Sequence, residues 1–286
     1  MRQVRNLIRK AIIPAAGFGT RLLPATKEQP KEMLPILALD TTGKLYLKPF
    51  LQVVFEQLYL AGIREICFIV GREKRSIEDH FTVDENFMDC LKAKNKIENL
   101  KELASFYDKV RNSTIAFANQ PQPLGFADAV YRGRFFSGND DFVVHAGDDL
   151  VLSTKDYMRR LIVVFEERGA DAAFFVQRVE DPTKYGVITG KKISRGVYHV
   201  KQVVEKPSKP PSKLAVVAVY AFKPGIYEAI KLVKPGVNNE IQLTDAIQTL
   251  IDENDAVYAV ELGHDEKRIE IGDPASYREA FLAKTA

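Results

Sequence analysis

One stretch constrains the chain more than any other: residues 11–35, which read AIIPAAGFGTRLLPATKEQPKEMLP. A short apolar strand at its start runs into a loop of small residues that ends in a cation, Arg21. Gly17 and Gly19 allow backbone N–H groups to approach an anion closely. Arg21 and Lys31 can balance the charge of that anion. The stretch therefore predicts a phosphate-binding loop at the carboxyl end of a strand.

Two common phosphate-binding loops do not fit this stretch. A dinucleotide fingerprint has a third glycine three residues after the second, where this chain has Leu22, and this disfavours an NAD-binding enzyme. A P-loop needs Gly-Lys-Ser/Thr, whereas Gly19 is followed by Thr20 and Arg21. The glycines alone would suit an ordinary turn. A solvent-facing loop, however, has no need of the stiffening that three prolines give the cationic segment: Pro24, Pro30 and Pro35.

The composition is that of an ordinary globular protein, with 46% hydrophobic and 28% charged residues among 286. A net charge of +3 is too small to indicate nucleic-acid binding. The two cysteines form no disulfide framework or zinc spacing, and Cys67, inside an apolar run, is predicted to be a buried thiol. No apolar run has membrane-spanning length, and the N-terminus lacks a signal-peptide pattern. We expect a cytoplasmic protein with no nucleic-acid or membrane partner.

Apolar runs alternate with helical patterns along the chain. Predicted strands cover residues 10–15, 65–70, 114–118, 141–146, 171–179, 200–205, 215–222 and 257–262. Predicted helices cover residues 48–61, 76–81, 84–107, 126–135, 155–168, 224–233, 243–252 and 274–284. This alternation predicts an α/β fold, a Rossmann-like, mainly parallel mixed sheet flanked by helices. We expect one domain over residues 1–286, with a helical insertion at about 84–112 and a β-hairpin region at about 182–222.

Residues 15–35 resemble the signature of the sugar-1-phosphate nucleotidylyltransferases, and PATK at 24–27 with PKEMLP at 30–35 is typical of the uridylyltransferase branch. The resemblance implies the nucleotide-diphospho-sugar transferase fold. It also implies Mg²⁺-assisted transfer of a uridylyl group from UTP to α-D-glucose 1-phosphate, giving UDP-glucose and pyrophosphate. It further implies that Arg21, Lys31 and Asp148 are catalytic. The residues that it implies for nucleotide binding in this loop are Ala15, Ala16, Gly17, Gly19 and Thr20.

A second segment, QPQPLGFADAV at 120–130, follows the third predicted strand. An amide side chain offers both a donor and an acceptor to the edge of a pyrimidine base. The resemblance implies that Gln120 recognises the base and that Gly125 lies beside it. Asp128 stands where the family often has histidine. Thymidylyl transfer, or another sugar 1-phosphate, therefore stays open as an alternative.

Acidic residues end the segment DFVVHAGDD at 141–149. A carboxylate at a strand end near a phosphate loop suits Mg²⁺, which prefers oxygen ligands. The resemblance implies that Asp148 binds the metal and that Glu270, in RIEIG at 268–272, is the second ligand in place of the family's aspartate. Its extra methylene extends the carboxylate by about 1.5 Å, so an inactive, nucleotide-sugar-binding regulatory relative is a second alternative. His145 is predicted to be a packed strand residue, and Asp273 to cap the last helix.

The sugar phosphate is expected to lie near the predicted hairpin. A carboxylate can accept from two vicinal hydroxyls, and an ammonium group is a point charge for phosphate. The resemblance implies these roles for Glu205 and Lys206, and it places the sugar against the hairpin region through Gly186 and Ala218. Thr244 is predicted to be a helix N-cap, after a turn at 240–242 that borders the sugar. We also expect a homo-oligomer, either a dimer or a tetramer.

Overall fold

The computed structural model describes residues 8–39, 43–72, 74–153, 156–236 and 239–283. Within these ranges the strands are β1 Lys10–Pro14, β2 Pro35–Leu39, β3 Leu45–Pro49, β4 Glu65–Val70, β5 Thr114–Asn119, β6 Phe142–His145, β7 Asp149–Leu152, β8 Ala172–Arg178, β9 Gly186–Ser194, β10 Val197–Glu205, β11 Leu214–Phe222, β12 Val257–Glu261 and β13 Lys267–Glu270. The helices are α1 Phe50–Leu60, α2 Arg75–His80, α3 Glu85–Ala93, α4 Ile97–Arg111, α5 Phe126–Arg132, α6 Arg134–Ser137, α7 Tyr157–Arg168, α8 Ile226–Leu232, α9 Leu243–Asp252 and α10 Pro274–Leu282.

Nine strands form one mixed sheet in the order β5-β4-β1-β6-β11-β8-β12-β10-β9. The first four are parallel, as are β8 and β12. Strand β11 runs antiparallel between β6 and β8, and β10 is antiparallel to both β12 and β9. The predicted mixed sheet flanked by helices is confirmed. Its antiparallel share is larger than the sequence pattern suggests, because a buried antiparallel strand such as β11 is as continuously apolar as a parallel one.

The far end of the sheet curls back on itself. Ala215 of β11 pairs with Val187 of β9 as well as lying in the β11–β8 ladder. The pairings β11–β8, β8–β12, β12–β10, β10–β9 and β9–β11 therefore form a closed ring of five strands. We call these strands the ring half of the sheet, and β5, β4, β1 and β6 the parallel half.

Both faces of the sheet are buried. In β1, Ala11 and Ile13 belong to one apolar cluster, which includes side chains of α1, α4 and α7. Ile12 belongs to the other, which includes side chains of α5, α8 and α9. This follows from the alternation of side chains across a strand. Burial on both faces explains why the strands read as nearly continuous apolar runs.

The other expectations for the fold can be compared with the same elements. Each predicted strand has an observed counterpart, and the predicted helical insertion is the pair α3 and α4. Cys67 and His145 are fully buried, as predicted, and burial raises the pKa of the Cys67 thiol to about 12. Strands β2, β3, β7 and β13 were not predicted. The predicted helix start at 155, the helix end at 284 and both limits of the domain lie outside the described residues.

Among the residues that the structure describes, no helix combines the length and the apolar character needed to cross a membrane.

Candidate active site

The predicted phosphate-binding loop begins where β1 ends. The N–H of Ala15 donates to the carbonyl of Ile69, at the end of the neighbouring strand β4, over 2.8 Å. Gly19 has a φ of +65°, which side chains rarely adopt, and a Cβ there would lie 3.3 Å from Thr26. The hydroxyl of Thr26 donates to the Gly19 carbonyl over 2.8 Å. The loop then makes a short 3₁₀ turn that leaves Arg21 exposed.

A buried ion pair that sequence reasoning missed supports this loop. Lys74 and Glu32 are 7% and 1% exposed. The ammonium of Lys74 donates to the Gly17 carbonyl over 2.8 Å and to the Glu32 carboxylate over 3.0 Å. Burial raises the pKa of Glu32, and Lys74 opposes that shift. Lys74 thus ties the glycine loop to the turn that carries Lys31. Isolated charged residues of this kind have no sequence pattern that would mark them.

Lys31 and Asp148 form a direct ion pair beneath the loop. Burial would lower the pKa of Lys31, but the charges of Asp148 and Glu32 outweigh it and raise that pKa above its ordinary value. Burial would likewise raise the pKa of Asp148, but the Lys31 ammonium holds it below its usual range. Both groups are therefore charged at neutral pH. The structure brings together two residues that the sequence placed 117 positions apart.

The neighbouring carboxylates bind Arg268, which sequence reasoning also missed. Strand β7 pairs with β13 so that Asp149 lies opposite Glu270. The Arg268 guanidinium donates through Nε to Asp149 Oδ2 over 2.8 Å and through Nη2 to Glu270 Oε2 over 2.6 Å. It also lies 5.0 Å from the centre of the Tyr185 ring. Burial would lower the pKa of Arg268, but Asp149 and Glu270 raise it, so this cation stays charged.

The expected metal ligands lie on adjoining segments. The N–H of Ile271 donates to the Asp148 carbonyl over 2.9 Å, which places Glu270 beside Asp148. Burial raises the pKa of Glu270; Arg268 opposes that shift, and the charges of Asp149 and Asp148 add to it. Among the described residues, no three or more His, Cys, Asp or Glu side chains are grouped to hold a metal. Two carboxylates fit Mg²⁺ when substrate phosphate oxygens and water complete its six ligands.

The expected sugar-binding residues meet at the edge of the ring half. Glu205 accepts from the hydroxyl of Thr244 over 2.9 Å and lies 3.2 Å from the Lys206 ammonium. A Cβ on Gly186 would lie 2.6 Å from Thr244 Cγ2 and 3.2 Å from Glu205 Oε2, so glycine is required for this close approach. Lys206 has a φ of +41° before Pro207, an unusual conformation that often marks a functional site.

The prediction that Thr244 is a helix N-cap is wrong. Helix α9 begins at Leu243, and its N-cap is Gln242, whose side chain makes no capping hydrogen bond. The Thr244 hydroxyl points instead to Glu205, in β10. The prediction for the last helix is confirmed, because Asp273 caps α10 through the N–H groups of Ala275 and Ser276.

Ala218 connects the two halves of the sheet. Its N–H donates to Asp149 Oδ2 over 3.2 Å, and its carbonyl accepts from the N–H of Ala146 over 2.9 Å. The backbone of β11 is thus joined to the segment that carries Asp148.

Gln120 and Gly125 lie beyond the end of β5. The N–H of Gln120 donates to the carbonyl of Val70 over 2.8 Å, so Gln120 sits at the same edge of the sheet as the phosphate-binding loop. Gly125 has a φ of +116°, and a Cβ there would lie 2.6 Å from the carbonyl oxygen of Ile241. The close passage of the 239–242 segment therefore requires glycine at this position, whether or not a base lies nearby.

A cavity of about 1130 Å³ lies among these groups. The predicted residues that line it are Thr20, Arg21, Gly186, Glu205, Lys206, Ala218 and Glu270. Arg268, Tyr185, Glu240 and Gln242 line it as well. The predicted residues outside its lining are Ala15, Ala16, Gly17, Gly19, Lys31, Gln120, Gly125 and Asp148. Two of them adjoin it through their neighbours: Gly125 precedes Phe126, which lines the cavity, and the carbonyl of Asp148 accepts from the N–H of the residue after Glu270.

Comparisons with known proteins agree with this geometry. The nucleotidyl transferase family model matches residues 10–286. UTP–glucose-1-phosphate uridylyltransferase 2 of Streptococcus pyogenes serotype M3 is 41% identical over an alignment of 284 positions, which covers 96% of this chain and 89% of that protein. A solved UDP-glucose pyrophosphorylase complexed with UDP-glucose has a TM-score of 0.81 at 34% identity, covering 96% of this chain and 97% of that chain. The UTP-bound UDP-glucose pyrophosphorylase from Acinetobacter baumannii has a TM-score of 0.83 at 30% identity, covering 96% of this chain and 92% of that chain.

The fold, the paired charges beside the cavity and these similarities lead to one assignment. The family model spans the described sheet from its first strand to its last helix. The chain belongs to the nucleotidyl transferase family, in its UTP–glucose-1-phosphate uridylyltransferase branch.

Proposed function

We propose that this chain transfers a uridylyl group from UTP to α-D-glucose 1-phosphate, giving UDP-glucose and pyrophosphate. The observation that carries the proposal is the single cavity that Arg21, Glu205, Lys206 and Glu270 line together. Cations for two phosphate-bearing substrates and a carboxylate for sugar hydroxyls then lie around one space. The solved relatives that bind UTP and UDP-glucose support the choice of substrates.

The reaction is an in-line displacement at the α-phosphorus of UTP. An oxygen of the sugar phosphate forms a new bond to that phosphorus, the bond from the α-phosphorus to the bridging oxygen breaks, and pyrophosphate leaves with the bonding electrons. The sugar phosphate is already an anion, so the step requires no general base. The enzyme contributes positioning and charge neutralisation.

Each charged residue has a place in this proposal. Arg21, exposed at the mouth of the loop, holds the leaving pyrophosphate. Lys31 neutralises charge that develops on the α-phosphoryl group. Lys206 binds the sugar phosphate, and Glu205 accepts hydrogen bonds from the sugar, held in place by Thr244. Gln120 reads the base beyond the end of β5.

Asp148 and Glu270 would hold Mg²⁺ in the same proposal. When bound, the ion would supply positive charge that offsets the negative charge of the UTP phosphates. Lys31 pairs with Asp148 and Arg268 pairs with Glu270, so each of the two carboxylates already faces one positive charge. The proposal treats residues 1–286 as one functional domain.

The test measures pyrophosphate release from UTP, dTTP, CTP, ATP and GTP, each with several sugar 1-phosphates, with and without Mg²⁺. We expect the highest kcat/KM for UTP with glucose 1-phosphate, and no turnover when EDTA removes the metal. A preference for dTTP would establish thymidylyl transfer instead. Binding of UDP-glucose without Mg²⁺-dependent turnover would establish an inactive, regulatory relative, the alternative that Glu270 leaves open.

A further inference from the structure

The side-chain amide of Gln120 is bonded to Asp128 and to the backbone of Gly125. Gln120 and Asp128 are each 6% exposed. The Gln120 amide nitrogen Nε2 donates to the Gly125 carbonyl over 3.1 Å and to Asp128 Oδ2 over 2.8 Å. An amide nitrogen carries two hydrogens, so this arrangement occupies both.

The reverse orientation of the Gln120 amide is unfavourable on chemical grounds. Turning the amide by half a turn would place its oxygen Oε1 against the Gly125 carbonyl and the Asp128 carboxylate. All three groups are acceptors, and none could donate. The assignment of nitrogen and oxygen in Gln120 therefore follows from its partners.

Asp128 is itself held in place. Arg132, one turn later on α5, donates through Nη2 to Asp128 Oδ1 over 2.9 Å and through Nε to Oδ2 over 3.4 Å. Charge-assisted bonds of this kind are stronger than those between neutral groups. The carboxylate consequently cannot swing away from Gln120 without losing Arg132.

We propose that Asp128 is a positioning residue that makes Gln120 present only an acceptor, so that the site favours a base with an N–H at pyrimidine position 3. Uracil and thymine carry that N–H, whereas the same position of cytosine is an acceptor. A free glutamine could turn its amide to suit either base. This inference rests on the proposed function, because it takes Gln120 to be the residue that meets the base.

The test compares kcat/KM for UTP and CTP, with glucose 1-phosphate, in the wild type and in Asp128→Asn. Asparagine has the same shape but can donate as well as accept, so only the Gly125 carbonyl still opposes the turned amide of Gln120. We expect the ratio of UTP to CTP to fall at least tenfold, mainly through a lower KM for CTP. If Asp128 had a purely structural role, Asp128→Asn would lower kcat/KM for UTP and for CTP in parallel and leave their ratio unchanged. That result would overturn the proposal.

A matched control is Asp252→Asn on α9. Asp252 accepts from the amide of Gln248 over 2.8 Å, also one turn away, at an exposed position that does not line the cavity. We expect its UTP-to-CTP ratio to equal that of the wild type. A change as large as that in Asp128→Asn would overturn the proposal. If Asp128→Asn does not fold, Asp128→Ser, whose hydroxyl also donates and accepts, gives the same comparison.

Gln120→Ala tests the role of Gln120 separately from that of Asp128. We expect it to lower kcat/KM for UTP at least tenfold and to abolish the effect of a second Asp128→Asn change on the ratio. If Gln120→Ala leaves kcat/KM for UTP unchanged, the base does not meet Gln120 and the role of Asp128 is overturned, while the uridylyl transfer itself stands. If Gln120→Ala lowers kcat/KM for UTP but Asp128→Asn leaves the UTP-to-CTP ratio unchanged, the role of Gln120 stands and that of Asp128 is overturned.

Discussion

The parallel half and the ring half of the sheet present their candidate residues in different ways. In the parallel half, Arg21, Lys31 and Asp148 lie in loops beyond the strand ends. In the ring half, Gly186 opens β9 and Glu205 closes β10, so strand pairing itself sets their positions. No strand pairing of this kind sets the positions of residues in a loop.

The two halves consequently depend on different interactions. The loops of the parallel half are held by charge pairs, above all the buried pair of Lys74 with Glu32 and the half-buried pair of Lys31 with Asp148. The ring half depends on close approach, since Gly186 leaves just enough room for Glu205 and Thr244. We therefore expect a change of charge to impair the proposed nucleotide-binding residues of the parallel half. A single added methyl group should instead impair the proposed sugar-binding residues of the ring half.

The largest effect is expected for Lys31→Met. Loss of a preorganised charge at the reacting phosphoryl group should lower kcat by roughly 10²–10³-fold. Lys27→Met is the matched control, because Lys27 lies in the same segment but is exposed and pairs only weakly, with Glu28 at 3.4 Å. Steady-state kinetics on both variants provide the measurement. Equal losses in the two would show that the segment tolerates no change of charge, and the specific role of Lys31 would fail.

The next effect concerns the junction of the two halves. Asp149 is 2% exposed and binds both Arg268 and the backbone N–H of Ala218. Asp149→Asn would leave the buried Arg268 charge with one negatively charged partner fewer, and should lower the free energy of unfolding by about 3 kcal/mol. Urea denaturation followed by circular dichroism measures this.

Asp89→Asn is the control for that change. Asp89 forms an exposed pair with Lys92 at 2.9 Å, and such pairs contribute at most about 1 kcal/mol. If Asp149→Asn unfolded no more easily than Asp89→Asn, the two halves would not be joined through Asp149.

The smallest effect is expected for Gly186→Ala. The added methyl would come within 2.6 Å of Thr244 Cγ2, so Glu205 and Thr244 must move apart. We expect KM for glucose 1-phosphate to rise about tenfold, equivalent to about 1.4 kcal/mol, with KM for UTP nearly unchanged. Gly225→Ala is the control, since no atom of the described residues, apart from the adjoining backbone, lies within 4 Å of the added methyl. An equal rise in both KM values for Gly186→Ala would mean that the halves do not act separately.

The difference between the contiguous loops of the parallel half and the paired strands of the ring half also explains what could be predicted from the sequence. The predicted phosphate-binding loop is contiguous, so its residues could be named together from one stretch. The strands were found because they are buried on both faces and read as apolar runs. Strands β7 and β13 were missed because each is only four residues long and its partner lies more than a hundred positions away.

The missed and misassigned residues share a cause. Arg268 and Lys74 matter through the carboxylates that they meet, and those partners are set by the fold and not by spacing. Thr244 was predicted to cap a helix because local rules favour threonine there. Its hydroxyl donates instead to Glu205, 39 positions away, since α9 packs against the end of β10. Local propensity gave way to a tertiary hydrogen bond.

The tie between Lys74 and the Gly17 carbonyl has a consequence for the direction of the peptide groups in the loop. A trans peptide is planar, with its C=O and the next N–H pointing in opposite directions. Because the Gly17 carbonyl faces inward to Lys74, the N–H of Phe18 faces outward. The Gly19 carbonyl faces Thr26, so the N–H of Thr20 is likewise turned away from that partner. The direction of both N–H groups is therefore fixed by a hydrogen bond on the opposite side of the peptide, so a phosphate bound on the N–H side would meet donors that do not have to reorient.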